Sequence, residues 1–273
     1  MKFADILLWT ANSGGTQVFL GAPWVPLTIK LAPDAWRRQI ALNWLALSPH
    51  YFFRTPANKT LGHRAFLISE WERGRISREV LVDHLIRPYL QPQFNVLDYG
   101  CGPGLLAVRS AKYVRHVIAC DISRGVLECA KTLTGASNIQ YLLVPRSGRL
   151  DVETASVDLV YCFAVFQHLE DAVVREVLAD FARVMKPGAR ALVHVVLSGT
   201  TGWKTEADWR MDQSIKGRAK WRFGLHCFSR TQEEMTALAT DAGFSEVSFV
   251  PIDVPELMDG IADDNLLVFR KPA

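Results

Sequence analysis

The stretch 96–104, Val-Leu-Asp-Tyr-Gly-Cys-Gly-Pro-Gly, constrains this chain more than any other. It opens on apolar strand formers, turns on three glycines spaced G-x-G-x-G, and leads into residues 105–112, which read as a helix. Glycine lets the backbone turn tightly and approach a ligand with no Cβ in the way. The first amides of the following helix point at the same place. A strand, a glycine turn and a helix in this order open a parallel α/β unit, and such a sheet binds ligands outside the carboxyl ends of its strands.

Strand and helix signals alternate onward from there. Short apolar runs at 95–97, 116–119, 139–144, 157–163 and 189–197 read as strands, and 245–250 and 266–270 as two more. Val174, Val177, Leu178, Phe181 and Met185 form an apolar stripe at helical spacing, stopped by Lys186-Pro187-Gly188. A further helix is expected from Ser229, where Ser229-x-x-Gln232 has the form of a capping box, to Gly243. The fold expected is an α/β, Rossmann-like, mostly parallel sheet with helices on both faces.

Residues 1–92 have a different character and are expected to form an N-terminal accessory region, with 93–273 as the main domain. Residues 18–31 are apolar and broken by Gly21, Pro23 and Pro26, which suggests short strands or a hairpin. Helices are expected at 33–47, at 66–72 and at 76–90, the last with Leu81, Leu85 and Tyr89 on one face. Between the fifth strand and Ser229 lies a long connection, 198–228, carrying Trp203, Trp209 and Trp221. Connections of that length tend to be functional, so a substrate-covering lid is expected, with anchoring of the insert by its Trp residues as the alternative.

Composition narrows the partners. The chain has 273 residues, 49% of them hydrophobic and 22% charged, with a net charge of +3. A field that weak calls for neither nucleic acid nor an anionic membrane. The five cysteines, Cys101, Cys120, Cys129, Cys162 and Cys227, are scattered and never form C-x-x-C, which disfavours a disulfide framework and a thiolate metal site. No metal is expected. A reducing cytoplasm fits, and neither a signal peptide nor a membrane span is visible in the sequence. Monomer and homodimer both stay open.

Asp98 separates two ligand classes. A dinucleotide site wants G-x-G-x-x-G and a pyrophosphate at the helix start, which a carboxylate in the turn would repel. A carboxylate suits a cationic, amine-bearing ligand, and S-adenosylmethionine (SAM) carries both an ammonium and a sulfonium. Asp121 ends the second strand 23 residues after Asp98, where an acidic side chain can accept both ribose hydroxyls.

With these residues in place the chain resembles the class I SAM-dependent methyltransferases, in their small-molecule branch. The glycine loop resembles the first motif of that family and residues 117–121 the second. Residues 156–163 with Phe166-Gln167-His168-Leu169 resemble the fourth-strand motif, and residues 183–188 the turn before strand five. Phe228-Ser229 onward to Ala242-Gly243-Phe244 resembles the small-molecule branch. The resemblance implies a seven-stranded sheet with an antiparallel last strand. It implies that Asp98, Tyr99, Gly100, Cys101, Gly102 and Gly104 hold the methionine part of SAM, that Asp121 with Ile122 holds the ribose side, and that Phe163 walls the site. It further implies S-adenosylhomocysteine as product. The family usually places an acidic residue after strand three for the adenine amino group; residues 143–147 hold none, and Asp151 and Glu153 come several residues late.

The catalytic candidates are His168, at a point where the family often has histidine, and His226, beside Cys227 at the end of the insert. His194 lies mid-strand and reads as core. The cations Lys216, Arg218, Lys220 and Arg222 read as a solvated face, with anion binding as the alternative. After strand four, DNA adenine methyltransferases carry Asn/Asp-Pro-Pro-aromatic; here it is Phe163-Ala164-Val165-Phe166, which disfavours nucleic-acid bases. The acceptor expected is a small molecule methylated on oxygen or nitrogen. A sugar or lipid-linked saccharide, and a non-catalytic SAM-binding protein, are the alternatives.

Overall fold

A computed structural model describes residues 22–48, 51–145, 148–197, 204–215, 217–218, 227–254 and 264–273 of the chain. The apolar runs after residue 94 become the strands of one sheet. These are β1 (Asn95–Tyr99), β2 (His116–Asp121), β3 (Ile139–Leu143), β4 (Val157–Cys162), β5 (Met185–Val195), β6 (Ser245–Pro251) and β7 (Asn265–Arg270). Their order is β3-β2-β1-β4-β5-β7-β6, with the first five parallel and β7 antiparallel to both neighbours. The seven-stranded, mostly parallel architecture expected from the sequence is therefore present. The chain order reverses between β1 and β4, and the glycine loop lies at that switch point.

The helices are α1 (Trp24–Leu31), α2 (Asp34–Leu45), α3 (His63–Leu81), α4 (Leu105–Ser110), α5 (Arg124–Thr134), α6 (Asp171–Val184), α7 (Glu206–Met211) and α8 (Gln232–Asp241). Alternation along each strand divides the interior. Leu97 and Tyr99 enter a core with Val174, Val177, Leu178 and Phe181 of α6 and Met235 and Leu238 of α8. Val96 enters the opposite core with Leu81, Leu106 and Ala107. The helices α1 to α3 share a third cluster with Cys129 and Leu133 of α5, so the N-terminal region sits against the sheet's β2–β3 side through α5.

Three local expectations change. Residues 24–31 are helical rather than hairpin: Pro23 is the N-cap and Pro26 falls in the first turn, where a missing N–H costs no intrahelical bond. The remainder of that stretch, 18–21, lies outside the described residues. The two helices expected at 66–72 and 76–90 are one, α3, running on into a π turn (Val82–Ile86) and a 3-10 turn (Arg87–Tyr89). Gly74 sits inside it, with Leu105 Cδ1 3.4 Å from where a Cβ would stand, an ordinary packing distance. Ion pairs of Arg75 with Glu72 and Glu79 bracket that position. Finally, α8 is capped by Thr231 and Glu234 in a reciprocal box, and Ser229 is buried upstream.

Candidate active site

Asp98 is the fourth residue of β1, beside Ala119 of β2 and Tyr161 of β4. It has no exposed surface, and neither carboxyl oxygen has a hydrogen-bond partner among the described residues. Burial, and then the Asp121 carboxylate, push its pKa well above the usual carboxylate range; the Ala107 amide works the other way without reaching hydrogen-bond geometry. Among the described residues, Tyr161 Oη and Ser110 Oγ are also buried without a hydrogen-bond partner.

The loop after β1 folds back on β2. Gly100 N and Cys101 N both donate to Cys120 O, at 2.8 and 2.9 Å. Gly100 has φ +75°, and a Cβ there would stand 2.2 Å from Cγ2 of Val165, so a side chain is excluded twice over. Gly102 has φ +51°, and a ring carbon of Tyr51 lies 3.4 Å from its missing Cβ. Tyr51 belongs to the N-terminal region, which therefore reaches the glycine loop directly.

Asp121 ties the tip of β2 to that loop. Its Oδ2 accepts from Gly102 N at 3.0 Å and its Oδ1 from Ser123 N at 2.8 Å. Burial raises its pKa, and these amides pull it back only in part. Each oxygen keeps a lone pair for a further donor. Ile122, next in the chain, is 73% exposed. It forms an apolar shelf beside a carboxylate, which suits a nucleoside.

The other expected cofactor residues divide. The Tyr99 side chain is buried edge-to-face against Phe181, so only its backbone faces the loop. The Cys101 thiol is buried, and burial together with Asp98 pushes it up and keeps it protonated. Gly104 caps α4 in the left-handed region, with the Tyr141 hydroxyl beside it. Phe163 is nearly buried and stacks on His194, with ring centroids 6.0 Å apart.

Beyond Phe163 the chain takes a left-handed step at Ala164 (φ 58°) and enters a 3-10 turn, Phe166–His168. His168 is half-buried, and its Nδ1 lies 3.6 Å from the Cys227 thiol, which burial raises to about 11. His226 lies outside the described residues, as do Trp203, Trp221, Lys216, Lys220 and Arg222. Trp209 is described: its indole N–H donates to Cys227 O at 3.4 Å, and Lys204 Nζ sits over its ring.

Two described residues of the 198–228 connection, Glu206 and Phe228, bond to the segment between β4 and the start of α6. Phe228 N donates to Gln167 O at 2.7 Å. The buried Arg230 donates to Phe166 O, Leu169 O and Asp171 Oδ1. On the other side, Glu206 of α7 accepts from Asp171 N at 2.7 Å. Tyr51, Val165 and Arg230 escaped the sequence reading. Each acts across a large gap in the chain, and nothing local marks it.

The site suits SAM on a structural test: two orphaned carboxyl oxygens lie buried under a loop with no room for side chains, beside a carboxylate at the next strand tip. This arrangement, on a sheet whose seventh strand is antiparallel, is similar to that of the class I SAM-dependent methyltransferases. Residues 96–188 match the methyltransferase domain family. The chain is 33% identical over 100 residues to the ubiquinone biosynthesis O-methyltransferase of Hahella chejuensis, covering 36% of this chain and 41% of that one. It is 34% identical over 101 residues to the N-demethylindolmycin N-methyltransferase of Streptomyces griseus, covering 36% and 42%. The match thus spans less than half the length of these curated relatives. Among solved structures, phosphoethanolamine N-methyltransferase 2 of Haemonchus contortus in complex with SAM shares the fold. Its TM-score is 0.52 at 16% identity, over 78% of this chain and 61% of that one. A SAM-dependent methyltransferase from Mesorhizobium loti does so as well, with TM-score 0.50 at 17% identity over 66% and 92%. No helix among the described residues is long and apolar enough to cross a membrane.

Proposed function

We propose that this chain methylates an oxygen or nitrogen atom of a small-molecule acceptor in the cytoplasm, as a monomer or homodimer. The supporting observation is the half-buried His168 beside Cys227, with Glu206 and Phe228 of the 198–228 connection bonded to the segment after β4. The division proposed is an accessory region to residue 92, a SAM-binding domain from 93, and residues 198–228 as the lid over the acceptor. Both named relatives act on small molecules by their names, one at oxygen and one at nitrogen.

SAM supplies an already activated methyl group. The protein's part is to align and to dry the site. Aligning two bound reactants is worth about 7–11 kcal/mol. Phe163, stacked on His194, would keep water from one wall. Asp98 would hold the ammonium end of the cofactor and Asp121 the ribose. His168 would take the proton of an acceptor hydroxyl, and an amine acceptor needs no such base. His226 stands as a second candidate for that role.

The test is release of S-adenosylhomocysteine from SAM over a panel of phenols, secondary amines and saccharides. A phenol or amine that turns over in the wild type and about 100-fold more slowly in His168→Ala supports the reading. Turnover of saccharides alone moves the acceptor class, and no turnover with intact SAM binding makes the chain a binding protein.

A further inference from the structure

We infer that His194 and Asp264 are a positioning pair that sets the cofactor-facing loop after β4. His194 lies near the carboxyl end of β5 and is only 2% exposed, yet both ring nitrogens are engaged. Nδ1 accepts the amide N–H of Ala164 at 3.2 Å. Nε2 lies 2.8 Å from Oδ2 of Asp264, the residue just before β7. An amide can only donate, so Nδ1 is unprotonated and the ring proton sits on Nε2, directed at the carboxylate. Asp264 therefore selects the tautomer that lets the ring hold Ala164.

What is held is strained. Ala164 has φ 58°, a conformation that an L-residue keeps only when its surroundings enforce it. The amide bond from His194 and the stack of its ring on Phe163 supply that enforcement. The strained step has a consequence one residue on: it seats Val165 against Gly100, so closely that a Cβ at 100 would meet Cγ2 at 2.2 Å. A chain of contacts thus runs from Asp264 through His194, Ala164 and Val165 to the glycine loop. The Asp264 backbone is itself fixed, its carbonyl accepting from Ile252 N at 2.9 Å. Both ring nitrogens of His194 are already in use, so the pair positions and does not react.

The inference rests on the glycine loop being the SAM site. SAM affinity by isothermal titration is compared in the wild type, His194→Phe and His194→Asn. Asn places an acceptor where Nδ1 stood; Phe keeps a ring and loses the bond. The expected result is at least tenfold weaker SAM binding in His194→Phe and affinity within threefold of wild type in His194→Asn. Wild-type affinity in His194→Phe overturns the inference, and so does equal weakening in both variants, since a purely structural histidine would not tell Asn from Phe in the folded protein. Failure of the wild type to bind SAM defeats the site assignment itself and this inference with it. Should His194→Phe not fold, nitrogen-15 NMR of the wild type decides: an Nδ1-protonated ring overturns the inference. Asp264→Ala is expected to mix the tautomers and shift the Ala164 amide resonance, and an unchanged spectrum counts against the pair.

Discussion

Glu70 and Asp98 are both buried carboxylates, and they live in opposite conditions. Glu70 of α3 is 2% exposed and fully engaged: its Oε1 accepts from Asn58 Nδ2 at 2.7 Å, its Oε2 from Phe53 N at 3.3 Å, and Arg73 pairs with it at 3.2 Å. Asp98 of β1 is fully buried and has no partner among the described residues. A buried carboxylate without compensation costs free energy, and one with matched donors holds shape. Glu70 pins the loop 51–61 to α3. On the proposed reading Asp98 keeps its oxygens for the ammonium of SAM, and its uncompensated burial costs the fold stability.

The largest effect should come from removing the matched one. Glu70→Ala strands the Asn58 amide, the Phe53 N–H and Arg73, and should cost about 3–5 kcal/mol. For a chain of this size that lowers the melting temperature by roughly 6–20 °C in a calorimetric scan. A fall of less than about 2 °C would erase the contrast drawn above.

Asp98→Asn should do the reverse. SAM binding, followed by titration calorimetry, should weaken by about 3 kcal/mol, roughly 150-fold, as the buried charge partner is lost. The empty variant should not be less stable. Burial, with the Asp121 carboxylate, raises the folded-state pKa of Asp98. Above the ordinary carboxylate range the unfolded chain has therefore released a proton that the folded chain still holds. The unfolded state then binds fewer protons, and stability falls as pH rises through that window. Asparagine carries no such proton. The melting-temperature difference, variant minus wild type, should grow from pH 4 to pH 8 in ligand-free protein; a constant difference would show that Asp98 is not under this strain.

The contrast also separates what was legible in the sequence from what was not. The central strands were legible because they are short apolar runs, and Val96, Leu97 and Val160 are completely buried. The glycine loop was legible because its backbone needs are met by residue type at fixed spacing. The N-terminal helices were harder. Pro23 and Pro26 read as breakers but stand at the one end of a helix that accepts them. The partners of the site were the least visible. Asp264 is 70 residues from His194 and Arg230 is 64 from Phe166, and such pairs leave no periodicity to read. His194 was legible only as buried; that both nitrogens are in use is a property of the fold.

The smallest effect expected joins the two regions. Tyr51 begins the loop that Glu70 pins, and its ring lies against Gly102. An aromatic face there can stabilise a nearby cation by about 1 kcal/mol. Tyr51→Ala should therefore weaken SAM binding roughly fivefold, and Tyr51→Phe, which keeps the ring, should change it by less than about twofold. If the pinned loop delivers that ring, Glu70→Ala at a temperature where it remains folded should weaken SAM binding by a similar factor. The double variant should then be no worse than either single one, because the second change removes a contact already lost. Multiplying losses in the double variant would mean that Glu70 stabilises the N-terminal region without positioning Tyr51, and that the matched carboxylate serves the fold alone.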